Sequence, residues 1–215
     1  MKLHLITDRL IRSVSSGQNS FDSKYGPEYV SAMVPSLAGQ AYIIFYNGSK
    51  TMAASKRISG DWTWPHSITL DPAIQVANSD FLRFALPSPP VRINNRTNGL
   101  VYCGQKDVSI QFKEAFNRGD IANLKQRGFL GNQKQIAYII KSNFIDVFGN
   151  PLLKEIDIDI VPQNILAYTS FDRFNDEYPI SEDGIAIMEL LFQQSQGINL
   201  GTKPDQILNN SPVLP

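Results

Sequence analysis

The residues in this chain that could do chemistry are few, and most of them are acids. Glu155, Asp157 and Asp159 alternate with Ile156, Ile158 and Ile160. A period of two places three carboxylates on one face of a strand and three isoleucines on the other. The three acids resemble a metal cluster, but at this spacing they read as a solvated or subunit-facing edge. A second acidic group comprises Asp172, Asp176, Glu177, Glu182 and Asp183. It misses the calcium-loop pattern of alternating oxygen ligands, central glycine and closing glutamate. A paired-acid glycosidase could draw on Asp157, Asp159, Asp172 or Asp176, but spacing alone does not support the pairing.

Other catalytic chemistry has little to build on. His4 and His66 are the only histidines and Cys103 is the only cysteine, so no spaced zinc-ligand set exists. Cys103 lies in an apolar run without a cationic neighbour and is expected to be inert. The sequence has no G-x-S-x-G, Walker loop, G-x-G-x-x-G, H-E-x-x-H or C-x-x-C. No enzyme activity, cofactor or metal is expected. Trp62 and Trp64 alternate, and alternate residues share a strand face. They predict a packing or interface cluster, with a sugar-stacking platform as the alternative.

The composition suits a chain that packs with something. Charged residues make up 19% of the 215, below the usual value of about 25%, and the formal net charge is zero. Low net charge favours association and argues against a generally basic nucleic-acid-binding surface. A single cysteine excludes an internal disulfide and fits a reducing compartment. The start, MKLHLITDRLIRSV, lacks the pattern of a signal peptide. No run approaches the roughly 20 apolar residues that span a bilayer.

The elements that would position these residues centre on 135–161. Two apolar runs there flank Gly149, Asn150 and Pro151, which predicts a hairpin with 155–160 as its second strand. Upstream, Leu3, Leu5 and Ile6 predict a short strand, followed by a helix over 9–14. A polar loop or arm is expected over 15–28. Strands are expected over 29–34 and 40–46, with Asn47-Gly48 turning the chain into a third over 50–58. Further strands are expected over 81–86, 91–93, 100–103, 108–113 and 165–169, and a helix over 116–128. Ser181 caps a C-terminal helix with Glu182 and Asp183 in its first turn. Ile185, Met188, Leu191 and Phe192 give that helix an apolar stripe, and Tyr178 and Ile180 staple its start.

Together these predict an α+β, mainly β fold. It would be an antiparallel sheet or sandwich with one docked C-terminal helix and extended termini. Residues 1–194 would form one β-rich domain and 195–215 an extended arm. Ile198, Leu200, Ile207, Leu208, Val213 and Leu214 are spaced along that arm and, with Trp62 and Trp64, are the candidate interface residues.

The segment FDRFNDEYPISEDGIAIMELLF, Phe171–Phe192, has an acidic link followed by a capped helix. It resembles small virion proteins of crAss-like and related tailed phages of Bacteroidetes bacteria. The resemblance implies a ring protein of the head-to-tail connector or tail, forming a twelve-fold ring of its own copies. Neighbouring portal, connector or tail proteins would be its partners, and DNA would pass through the ring. It also implies assembly in the host cytoplasm and residence in the virion. The family has no catalytic set, so no functional residue carries over. The alternative is a carbohydrate- or surface-binding module using Trp62 and Trp64.

Overall fold

The computed structural model describes residues 1–15, 26–49, 62–93, 98–106, 110–128 and 135–196. The expected strand over 50–58 and nearly all of the arm lie outside them. The chain is α+β, as the sequence predicted, but helix accounts for 40% and strand for 26% of the described residues, so strand does not dominate among them.

The N-terminal part is helical. Helix α1 spans Leu3–Val14 and buries Leu3, Ile6, Thr7, Leu10 and Ile11. That spacing is one face of a helix, and the short strand expected over 3–6 is absorbed into it. Helix α2 spans Pro27–Ser49. It replaces the strands expected over 29–34 and 40–46 and takes in the last residues of the supposed arm. The aromatic and β-branched content suggests strands. However, the buried residues Val30, Val34, Leu37, Ala38, Ala41 and Tyr42 recur at helical intervals. Pro27 sits at the helix start, where a missing N–H costs nothing.

The strands form two sheets. One has the order β1 (Trp64–Thr69), β7 (Glu155–Ile160), β3 (Leu100–Gly104), all antiparallel. The other has the order β2 (Phe81–Ala85), β6 (Phe144–Phe148), β5 (Ala137–Lys141), β4 (Lys113–Glu114), with β4 parallel to β5. The isoleucines of β7 are buried and its acids are half-buried on the other face, as the alternation predicts. The predicted hairpin partner is wrong. The first run forms its own hairpin, β5–β6, turning at Ser142-Asn143, where Ser142 has a φ of 50°. Gly149, at φ 103°, turns the chain out of that sheet, and β7 joins the other one.

The chain just before and through β4 stitches the sheets together. Phe112 N donates to Cys103 O (2.8 Å), and Lys113 N donates to Ile136 O (2.8 Å). The inner faces share one apolar core, with Ile156, Ile158, Ile160 and Cys103 from one sheet and Phe84, Tyr138, Ile145 and Val147 from the other.

Two further helices complete the packing. Helix α3, Arg118–Gln126, opens with a reciprocal capping box between Asn117 and Asp120. Its Ile121 and Leu124 cover Ala137, Ile139 and Phe148 on the outer face of the four-stranded sheet. Helix α4, Glu182–Ser195, is capped by Ser181, whose Oγ accepts from Gly184 N, and it buries Ile185, Met188 and Phe192. It packs against α1 and α2. Arg9 of α1 ties to it through Glu189 (2.6 Å) and Glu182 (2.9 Å). The strand expected over 165–169 is one 3-10 turn, Ile165–Ala167, capped by Asn164.

Candidate functional site

The two tryptophans do not share a surface. Trp62 is 1% exposed, which corrects its assignment to an interface. Its ring lies 5.5 Å from Tyr42 and 5.3 Å from Phe45 of α2. A Cβ on Gly184 of α4 would come within 2.3 Å of it, so Gly184 makes room for the indole. Trp64 begins β1 and stacks edge-on against Phe171.

Beside Trp64 lies a polar cluster that the sequence did not suggest. Trp64 Nε1 donates to Ser170 Oγ (3.3 Å), and His66 Nδ1 sits 3.1 Å from the same oxygen. Burial lowers the His66 pKa, which favours the neutral ring. With the indole donating, the Ser170 hydroxyl is free to donate to Nδ1, which leaves the ring proton on Nε2. A serine beside a histidine can act as a nucleophile when a third group orients the ring. The bonds to Ser170 tether β1 to the loop after the 3-10 turn, and no carboxylate bonds His66 among the described residues.

The acids proposed for chemistry lie on two elements, Asp157 and Asp159 on β7 and Asp172 and Asp176 in the loop before α4. Asp172 accepts from Phe174 N (2.9 Å) and Asn175 Nδ2 (2.6 Å), while Asp176 accepts from Asp172 N (2.8 Å). These bonds close a loop on itself. Glu182 and Asp183 sit in the first turn of α4. Among the described residues, no group of three His, Cys, Asp or Glu side chains is placed to hold a metal ion. Cys103 is buried, and burial followed by the charge of Glu114 pushes its thiol far above its ordinary value. That is the setting of an unreactive thiol.

Two charged regions remain, one on each outer sheet face. On the four-stranded sheet, Asp146 of β6 is fully buried. Arg83, directly opposite on β2, donates Nε to Oδ1 (2.7 Å) and Nη2 to Oδ2 (3.0 Å). Lys141 of β5 reaches Oδ2 at 2.7 Å. Burial alone would raise the Asp146 pKa, but the bonds from Arg83 and Lys141 outweigh it and hold the carboxyl below its ordinary range. The Arg83 guanidinium lies over the rings of Phe81 (5.4 Å) and Phe144 (5.1 Å). Sequence reasoning missed this cluster. Its signal is one charge at the centre of each apolar strand, FLRFA and FIDVF.

On the three-stranded sheet, β7 presents Glu155, Asp157 and Asp159. Lys106 pairs with Glu155 (2.8 Å), and Ser67 Oγ donates to Asp157. Burial first, then the neighbouring Asp157, raises the Asp159 carboxyl above its ordinary range. Tyr102 aligns with Asp159 across the strands and lies over Gly104.

Among the described residues, no helix is long and apolar enough to cross a membrane. The candidate interface residues Ile198, Leu200, Ile207, Leu208, Val213 and Leu214 lie outside the described residues. No protein-family model matches the chain, and no curated protein matches it in sequence.

Proposed function

We propose that the chain is a structural subunit of a tailed-phage particle, a ring protein of the head-to-tail connector or tail that acts by packing. The outward side of α2 carries this reading. Tyr29, Ala32, Ser36, Gln40 and Ile44 recur every three or four residues and are exposed. Tyr29 is 55% and Ile44 47% accessible. Glu28 is the only charged residue among the 23 of this helix. A helix that faced only water would carry charge along that stripe. Ala32, Ser36, Gln40 and Ile43 also line one wall of a groove of about 490 Å³, with Val91, Arg92, Gln163 and Asn164 opposite. The likeness of Phe171–Phe192 to small phage virion proteins supplies the particle. Twelve-fold symmetry follows from analogy with portal-linked rings.

The test is the particle itself. Mass spectrometry of purified virions should find this chain in many copies, and cryo-EM should place its fold around the portal–tail axis. Its absence, or a single copy at the axis, would end the reading. Removing residues 197–215 should leave the melting temperature nearly unchanged and reduce incorporation. Normal incorporation of the truncated chain would leave the arm without a role.

A further inference from the structure

The outer faces of the two sheets carry opposite charge, and among the described residues neither is fully paired. On the four-stranded sheet, Arg83 and Lys141 share one carboxylate, Asp146. One positive charge is therefore left over. A guanidinium and an ammonium offer eight N–H donors together, of which Asp146 takes three. Helix α3 covers the Ala137, Ile139 and Phe148 part of this face, while Arg83 and Lys141 beside it remain partly exposed. On the three-stranded sheet, a serine hydroxyl donates to Asp157, and no ion pair reaches Asp159 among the described residues. Val101 bulges out beside Tyr102 on β3 and is 43% exposed.

The inner faces of both sheets contribute to one core, so these outer faces point away from it on different sides. Complementary patches on different sides of one molecule cannot satisfy each other. They match on the next molecule, and such head-to-tail contacts close into rings or run on as filaments. We propose that the β7 outer face of one copy docks on the Arg83–Lys141 end of the β2–β6–β5 outer face of the next, with Asp157 and Asp159 meeting Lys141 and Arg83. This rests on the reading of the chain as a self-packing subunit and adds to the α2 stripe a second surface that it would use. The raised Asp159 carboxyl agrees with the contact, because a cation from a neighbour would favour the charged form that burial and Asp157 disfavour.

Sedimentation velocity on the full-length protein tests the contact. The wild type should self-associate at high protein concentration and dissociate as salt rises, because screening weakens such pairs. Asp157→Asn with Asp159→Asn removes the acidic patch. Lys141→Gln removes the surplus cation of the basic one and leaves the two Arg83 bonds to Asp146 in place. Each variant should stay monomeric with an unchanged circular dichroism spectrum. An equimolar mixture of the two should form a one-to-one dimer and nothing larger, since each supplies the face the other lacks. A wild type that stays monomeric overturns the contact, as do variants that associate like the wild type. So does a mixture that stays monomeric. None of these results decides whether the chain sits in a particle, which the virion measurements address separately.

Discussion

Strands β6 and β7 both set acids into an apolar run, and the fold handles them in opposite ways. Asp146 in β6 is fully buried, yet it receives three hydrogen bonds from two cations on the flanking strands. Asp159 in β7 is only partly buried, yet no ion pair reaches it among the described residues. Their carboxyl pKa values move apart accordingly, Asp146 down and Asp159 up. Depth does not decide the outcome, because the more deeply buried acid is the one that ionises more readily. Compensation decides it. A buried, compensated charge belongs to the fold. A half-buried, uncompensated one is a reason to look for something outside the chain.

The sharpest way to break this comparison is to remove the compensation. Arg83→Met together with Lys141→Met leaves Asp146 buried and alone, which should cost roughly 3–5 kcal/mol in urea unfolding. Adding Asp146→Leu to that background should recover most or all of the loss, because an apolar trio replaces an orphaned charge. If the double variant were as stable as the wild type, Asp146 would not depend on its cations, and the contrast with Asp159 would collapse.

The two faces of β7 offer a second, somewhat smaller test. Ile158→Ala should cost about 2–5 kcal/mol by opening a cavity in the shared core. Asp157→Ala should cost well under 1 kcal/mol. Thermal melts that ranked them in reverse would mean that the acids, not the isoleucines, hold this strand in place.

Titration separates the acids by sign. Asp146 has a folded pKa below its ordinary value of 3.8. Its contribution to stability is therefore present above that value and is lost as pH falls through the folded pKa. Urea midpoints measured down the acid range should fall for the wild type. They should fall less for Asp146→Asn, which begins from lower stability because Arg83 and Lys141 lose their anion. Parallel curves would assign the acid sensitivity to other groups.

The contrast between the two strands was only half legible in the sequence. The β7 alternation is local, so the face of each residue followed from period alone. The cap and stripe of α4 are local too, with Ser181, Ile185, Met188 and Phe192 all in their expected roles. The Arg83–Asp146 pair is not local. It depends on a register between β2 and β6 across 63 positions, and a lone acid in FIDVF does not name its partner. The hairpin assignment failed because two turn signals compete within ten residues. Gly149 looked stronger, but Ser142-Asn143 makes the tight turn. Helix α2 was hidden for a different reason. Its Val, Ile, Tyr and Phe content favours strand, and packing against α1 and α4 overrides that preference. Trp62 was misplaced with it, since an indole beside an unseen helix looks like a surface residue.

Asp159→Asn should produce the smallest change in stability and the most specific one. The folded pKa of Asp159 is raised, so the folded chain holds this proton more tightly than the unfolded chain does. Stability is then lost as pH rises through the unfolded and then the folded pKa. Asparagine keeps the shape and removes the charge. The variant should match the wild type in acid and exceed it slightly at neutral pH, by less than about 0.5 kcal/mol for a half-buried position. Its self-association should move the other way and weaken, because the acid that strains the single subunit is the one offered to the cations of the next. A variant both more stable and less associated would mark Asp159 as a residue kept for contact at some expense to the fold. If Asp159→Asn lowered stability at neutral pH, the acid would have a partner within its own chain, and β7 would differ from β6 only in where that partner lies.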